Sequence, residues 1–543
     1  MDEIENNIHK ILDDLSMSNI LFSVEPAKPG FGDVSSNVSF LLAKHLKKNP
    51  KDIADILSEK YKQSTSTLVS KVESHPSGYL NFFANWEKLN QLILSESNLD
   101  EFGSVDLGKS STIVVEHTSV NPNKALHIGH IRNIILGDTI ARILKKSNYK
   151  VNILNYVDDS GLQVADIIVG FRYFGFTQQP PQGKKFDHYC GDDVYVKTTE
   201  KYENDPSLEE IRKNILKELE DGNSETAQFA DKITRRVLEN QLETCWNLGV
   251  YYDCLNFESQ IIRSGLWSKI FEKLKEMSLI EFENEGKNIG CWVIRGENAE
   301  EDKVIVRSNG TATYIAKDIP YAAWKLGLLE DPFNYQKYDK IQPGNHILWQ
   351  TTLVDSVEPK QNFTGKKVIT VIDSRQARLQ KIITTLMSKF KSTEDAYIHL
   401  GYESVTLSAD TAQTLGLNTD GKQAQMSGRK GLYVNADSVY DLLKNKIIEE
   451  TTKRHPEMAD YEIEKIAHHV SVGTLRYEMI KQDLDKIITF DLTKSLSLEG
   501  DTAPYIQYSY ARASRIIEKS TRTPSIDVDF SLLNDLSELE LIK

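Results

Sequence analysis

Residues 111–172 restrict the fold more than any other stretch of this chain. STIVVEH (111–117) is a short apolar run with the look of a buried strand. GHIRNIILGDTIARILKK (129–146) sets Ile131, Ile134, Ile135, Ile143 and Leu144 at helical spacing. VNILNYV (151–157) is a second strand, and a further helix follows from Ser160. Strand, helix and strand in this order form a βαβ unit, the start of a parallel sheet. An α/β fold is therefore expected.

The rest of the chain must be arranged around that unit. Its 543 residues leave room for roughly three or four domains. Up to about residue 95 the chain reads as a small α+β unit, with helices at Leu41–Leu46 and Ile53–Tyr61 and a strand at Gly78–Phe83. Residues 174–206, rich in Pro, Gly, Gln and Lys, read as a surface excursion, and 207–248 as a charged helical insertion. Strand signals return at CWVIR (291–295), KVIVR (303–307) and KKVITVID (366–373). From about 435 onward the chain reads as all helix.

Composition excludes several classes. The net charge of −14 argues against a general nucleic-acid coat, which needs a basic stripe, though not against a local phosphate-binding patch. No apolar run approaches the ~18 residues of a membrane helix, so no membrane association is expected. The start MDEIENNIHKILDD lacks the basic and apolar parts of a signal peptide. The four cysteines have no CxxC spacing, and His468–His469 diverge on a helix without a third ligand. A reduced, cytoplasmic protein with no metal site is expected.

Two short motifs invite a phosphate-binding reading. Gly103–Ser110 fits the letters of a P-loop, but a helix-like stretch precedes it and a strand follows, the reverse of what the mechanism needs. A linker is the better reading. His127-Ile128-Gly129-His130 stands after the first strand and opens the first helix of the βαβ unit. There two imidazoles and a helix N-terminus can meet phosphate, and Gly129 lets a flat ring approach the backbone. This is a place for ATP.

VEHTSVNPNKALHIGHIRNIILGDTIARIL and the NYVDDSGLQ that follows resemble the opening of a class I aminoacyl-tRNA synthetase, and in detail an arginyl-tRNA synthetase. NGTATYIAKD (309–318), VIDSRQ (371–376), QMSGRKG (425–431) and APYIQYSYARASRII (503–517) continue the resemblance in the expected order. GFGDVSSNVSFLLAKHLKKNP and SGYLNFF are similar to that family's N-terminal domain.

The resemblance implies a Rossmann-like catalytic core with an N-terminal α+β module, a helical insertion and an all-helical C-terminal region. It implies a D-loop-reading module at 1–100 and a catalytic domain at 108–400, with the insertion at about 174–260. A signature-loop and stem-contact region would cover 401–495. An anticodon-binding helical domain would begin at 496–543, with the chain ending several helices short of it. It implies ligation of L-arginine to tRNA(Arg) through an arginyl-adenylate. ATP and its Mg2+ would be required, and the protein would act as a monomer.

Site residues follow by the same resemblance. His127, His130 and Lys124 would be catalytic; Gly129, Met426, Ser427 and Lys430 would bind ATP. Arginine would meet Glu116, Ser119, Asn121, Tyr314, Asp318 and Gln376, with Asp318 and Tyr314 at the guanidinium and Glu116, Asn121 and Gln376 nearer the head. Two carboxylates suit a planar cation. Tyr79, Asn81 and Arg512 would touch tRNA, the first two by stacking on a base and reading its edge. One departure stands out. Gly428 occupies the place of the phosphate-binding lysine of the K-M-S-K-S loop, and Lys124, three residues before His127, replaces it from the facing side. Two rival readings share this fold. One adenylylates another small cation without tRNA; the flanking tRNA-type modules oppose it. The other is a non-catalytic tRNA binder; the retained histidines and carboxylates oppose that.

Overall fold

The computed structural model describes the whole chain except Thr65, Asn98, Pro206, 297–301, Tyr314, 418–423, 426–433, 522–524, Ile526 and Lys543. It divides into two compact units, one of residues 1–104 with 519–543, the other of 105–518.

The smaller unit holds a four-stranded antiparallel sheet of β1 (Val24–Pro26), β2 (Val34–Ser36), β3 (Val69–Ser74) and β4 (Leu80–Ala84), in the order β1-β2-β4-β3. Helices Asp2–Asp14, Val38–Leu46 and Pro50–Lys62 supply Ile8, Leu12, Leu42 and Leu57 to a core shared with Leu80 and Phe82. Helix Pro50–Lys62 starts where Asn49 accepts from the Lys51 N–H at 2.9 Å and Pro50 occupies the first helical position.

The larger unit is built on a seven-stranded sheet. Its strands are β5 (Thr112–Glu116), β6 (Lys150–Val157), β7 (Cys254–Phe257), β11 (Asn334–Lys337), β12 (Trp349–Thr352), β13 (Lys367–Asp373) and β14 (Tyr397–Tyr402). Between β7 and β11 the chain forms a separate antiparallel sheet of β8 (Glu281–Phe282), β9 (Trp292–Ile294) and β10 (Lys303–Val306). The main order is β11-β12-β7-β6-β5-β13-β14, parallel except for β11. The chain runs outward from β5 through β6 and β7, then returns to place β13 on the other flank of β5. This reversal leaves a crevice at the carboxyl ends of β5 and β13, where open α/β sheets bind ligands.

Helix Ile128–Lys146 is apolar on most sides because it is enclosed. It packs on β5, β6 and β13 and also on helices Ala436–Arg454 and Asp460–Ile480.

CWVIR and KVIVR do hold strands, and these belong to the separate antiparallel sheet. Two expectations need correction. Residues 186–198 are no surface excursion: Phe186, Tyr189, Val194 and Tyr195 lie in a core with Ile167, Ile168 and Ile233. The Pro- and Gly-rich composition of 175–184 masks that apolar run. Finally, the chain after 435 is not all helix. Ile488–Phe490 is strand β17, parallel to β15 (Val405–Leu407), which pairs on its other edge with β16 (Ala424–Gln425).

Candidate active site

The crevice at the ends of β5 and β13 opens into a cavity of about 1050 Å³. Glu116, Ser119, Asn121, Lys124, His127, Gly129, His130, Asp318 and Gln376 all line it. Tyr314, Met426, Ser427 and Lys430 lie outside the described residues.

The two signature histidines form a reciprocal cap. The His130 N–H donates to His127 Nδ1 at 3.3 Å, and the His127 N–H to His130 Nδ1 at 3.2 Å. The rings stack with centroids 3.5 Å apart. With both Nδ1 atoms accepting, each proton resides on Nε2, so both rings keep a donor for an incoming oxygen. Burial pushes His127 down to about 3, with Lys124 adding to the effect. Burial, His127 and Lys124 hold His130 well below the ordinary imidazole range. Both are neutral donors at neutral pH. A Cβ on Gly129 would lie 3.0 Å from His127 Cε1, a tight contact that would press on the stacked ring, so glycine suits this position.

Lys124 is buried, and its ammonium lies 5.3 Å above the Tyr195 ring. Gln241 Nε2 donates to the carbonyls of Asn121 (3.1 Å) and Lys124 (2.8 Å) and so fixes the segment that carries this lysine.

After β5 the backbone turns through left-handed conformations at Thr118 (φ 74°) and Ser119 (φ 47°). For a β-branched residue this is strained. Side chains hold it in place. The Thr118 N–H donates to Asn133 Oδ1 at 2.5 Å, Thr118 Oγ1 meets the Tyr252 hydroxyl at 2.6 Å, and the Ser119 N–H donates to Asn155 Oδ1 at 3.1 Å.

The floor of the cavity is acidic. Glu116 forms a buried ion pair with Lys325 and accepts from Ser119 Oγ at 3.2 Å. Lys325 is buried, also within reach of Thr370 Oγ1 (3.4 Å) and the Tyr397 hydroxyl (3.3 Å). Burial alone would lower its affinity for a proton, but Glu116 outweighs that and holds the ammonium above its usual range. Asp158, Glu258 and Asp318 line the same cavity. Burial and Glu258 push Asp158 well above the usual carboxylate range. Burial, Glu258 and Glu116 push Asp318 up to about 7, against the pull of Lys325 and Lys317. Glu258 accepts from the Tyr156 hydroxyl at 3.0 Å and from Ser160 Oγ. Asn121 donates to Asp158 Oδ2 at 2.5 Å. Carboxylates crowded this closely favour a cationic guest.

Sequence reasoning missed Lys325, Glu258 and Asp158. Asp158 lies within NYVDDSGLQ, which could have exposed it. Glu258 carries no local signal; only the sheet topology brings it here. Lys325 stands seven residues after Asp318 on helix Ile315–Lys325, on the same face, and that spacing could have pointed to it. The tRNA candidates lie elsewhere. Tyr79 is exposed with its ring 4.8 Å from Phe40, whereas Asn81 is buried and lines a separate cavity of about 690 Å³ in the smaller unit. Arg512 is exposed on helix Ala503–Lys519.

Comparison with known proteins gives the same picture. Residues 89–332 match the model of the class I (R) tRNA synthetase catalytic domain, and residues 2–84 that of the arginyl tRNA synthetase N-terminal domain. The arginine–tRNA ligase of Thermococcus sibiricus is 35% identical over 96% of this chain and 83% of its own. That of Thermus thermophilus is 35% identical over 89% of this chain and 76% of its own. The solved Thermus thermophilus arginyl-tRNA synthetase superimposes with a TM-score of 0.82 at 31% identity, covering 99% of this chain and 84% of that one. A likeness of this extent, over both the catalytic sheet and the N-terminal module, means that the chain belongs to the class I arginyl-tRNA synthetase family.

Proposed function

We propose that the cavity at the ends of β5 and β13 is where this chain makes arginyl-adenylate. As an arginine–tRNA ligase the chain joins L-arginine to tRNA(Arg) with ATP, releasing AMP and pyrophosphate. The arginine carboxylate attacks the α-phosphorus; a new C–O–P bond forms and the bond to pyrophosphate breaks. A ribose hydroxyl of the tRNA terminal adenosine then attacks the acyl carbon, and AMP leaves with the bonding electrons.

The observation that carries this reading is the sharing of one cavity by two kinds of group. His127, His130 and Lys124 suit phosphate; Asp158, Glu258 and Asp318 suit a guanidinium. We assign Asp318 to the guanidinium together with Glu258, and Glu116, Ser119, Asn121 and Gln376 to the amino-acid head. Tyr314 is assigned beside Asp318, and Met426, Ser427 and Lys430 to the nucleotide, from the family motif alone. The Nε2–H donors of His127 and His130 and the ammonium of Lys124 stabilise charge on the phosphate oxygens as the phosphorus becomes five-coordinate. Mg2+ enters with the nucleotide and would neutralise its phosphates. Tyr79 and Asn81 are assigned to the tRNA D-loop and Arg512 to the tRNA beyond it. Among the described residues no helix is long and apolar enough to cross a membrane; we place the protein in the cytoplasm, as a monomer.

Pyrophosphate release from ATP, measured with each of the twenty amino acids with and without total tRNA, tests the reading. Release is expected with arginine alone among them, in the presence of tRNA. Release with another amino acid would overturn the assignments at Glu116, Asp318 and Gln376.

A further inference from the structure

The helical insertion does more than cover the sheet. At its start Lys185 Nζ donates to Asp437 Oδ2 at 2.7 Å. The neighbouring His188 uses Nε2 on the same oxygen at 3.0 Å, while its Nδ1 lies 3.1 Å from Asn435 Nδ2. An amide donor on Nδ1 puts the imidazole proton on Nε2, so His188 donates to Asp437 as well. Thr244, also of the insertion, donates through Oγ1 to Asp437 Oδ1 at 2.8 Å. Three insertion side chains thus converge on one carboxylate. Burial alone would raise that carboxyl, but His188 and Lys185 hold it well below the usual range.

The position of Asp437 gives this clasp its meaning. It follows a short antiparallel pairing in which the Ala436 N–H donates to the Leu126 carbonyl (2.7 Å) and the Ile128 N–H to the Val434 carbonyl (3.1 Å), with His127 opposite Asn435. Leu126 and Ile128, on either side of His127, are therefore bonded to the chain that follows the second signature loop in sequence. The same insertion also holds the Lys124 side of the site. The Ala125 N–H donates to the Asp187 carbonyl at 3.1 Å, and Gln241 and Tyr195 contact the Lys124 segment. Asp187, His188 and Asp437 have ligand-type atoms within 4.8 Å of one another, the spacing of a metal site. The Lys185 ammonium already supplies positive charge there, so the cluster reads as a clasp.

We propose that Asp437 is a positioning residue for adenylate formation: gripped by Lys185, His188 and Thr244, it locks the Val434–Ala436 segment against the H-I-G-H turn and so holds His127 and His130 in place. The insertion thereby fixes both halves of a phosphate site whose lysine has moved from the second signature to Lys124. This rests on the adenylation chemistry assigned above.

The test is arginine-dependent ATP–pyrophosphate exchange in the presence of tRNA, at a temperature well below melting, on the full chain. Asp437→Asn is expected to lower kcat about tenfold to a hundredfold, the cost of displacing catalytic groups by a fraction of an ångström to an ångström. KM for arginine should stay within about twofold, because the carboxylate cluster is untouched. Lys185→Met reaches the same clasp from the insertion, serves if Asp437→Asn does not fold, and should give the same split. The double variant should be no worse than the more impaired single one, as expected of groups acting as a unit. A kcat within twofold of wild type in a folded variant overturns the proposal. So does a loss that falls equally on KM for arginine, or additive losses in the double variant. A wild-type chain without arginine-dependent exchange overturns the adenylation reading and this proposal with it; an active wild type with unaltered variants overturns this proposal alone.

Discussion

Asp318 titrates near neutrality only because its neighbours make it do so. Burial and the charges of Glu258 and Glu116 raise it to about 7 in the substrate-free pocket, while Lys325 and Lys317 hold it from rising further. A guanidinium binds the ionised form, so arginine must displace a proton whenever the pH lies below that value. The sign follows: KM for arginine should fall as pH rises through 7, and below it affinity should weaken by up to about tenfold per pH unit. Neither signature histidine produces this trend, since His127 has dropped to about 3 and His130 also lies well below the ordinary range. Calorimetric titration of arginine in buffers of different ionisation enthalpy measures the released proton; a pH-independent affinity between 6 and 8 would remove Asp318 from the guanidinium. Lys124 gives a second prediction at this scale. Lys124→Ala should lower kcat for pyrophosphate exchange by about a hundredfold, comparable to losing one preorganised donor to a developing oxyanion, with little change in KM for arginine. These residues were legible in the sequence because each sits inside a local motif. Lys325, the buried cation that pairs Glu116, was not: it ends the helix Ile315–Lys325 that carries Asp318, two turns beyond the NGTATYIAKD motif.

Helix Ile128–Lys146 shows the same division one level up. Its existence follows from periodicity alone, and the βαβ unit that it closes appears in the structure as β5, this helix and β6. What it fastens to could not be read. Arg132, fully buried, donates from Nη1 to the carbonyls of Glu403 (2.6 Å) and Lys486 (2.7 Å) and from Nη2 to that of Asp483 (3.0 Å). The signature helix is thus bound to the segments flanking β14, β15 and β17, 271 to 354 positions away in the chain. Strand β17 escaped sequence reading for a related reason: ITF is too short to show a period, and only its pairing with β15 makes it a strand. Arg132→Met should cost about 3 kcal/mol, the typical loss when a buried charged donor is removed and its acceptors are left without partners. Thermal unfolding would show this as a fall of several degrees. An unchanged melting temperature would mean that water replaces the guanidinium at no cost. Gly137 marks how close this helix approaches the sheet. A Cβ there would fall 2.2 Å from His117 Cγ, and that ring is buried. Gly137→Ala should therefore destabilise the chain although alanine is the better helix former, and a stabilised variant would contradict the packing.

At the scale of the whole chain, the net charge of −14 sets the protein against any indiscriminate grip on nucleic acid, so tRNA must be met at chosen places. One of the assigned places, around Asn81, belongs to the smaller unit, which is built from residues 1–104 and 519–543 together. Helix Trp86–Glu96 closes the N-terminal module, and from it the fully buried Asn90 donates through Nδ2 to the carbonyls of Phe530 (3.3 Å) and Leu533 (3.1 Å). This amide ties the returning segment to the helix, and Phe530 of that segment is itself buried. No sequence pattern announces this, because the partners lie more than four hundred residues apart and the acceptors are backbone carbonyls, which carry no side-chain signature. Asn90→Ala removes both bonds from a dry site and should cost about 1–3 kcal/mol of local stability. Because opening can occur in one unit without the other, the loss should appear as faster amide exchange in Trp86–Glu96 and Phe530–Leu532 while β5 and β13 keep their protection. Removing residues 519–543 should expose the same helix to exchange without further effect from Asn90→Ala, since the acceptors are then gone. If exchange in Trp86–Glu96 stays slow in both variants, the module closes without the returning segment and the two chain ends are neighbours without being partners.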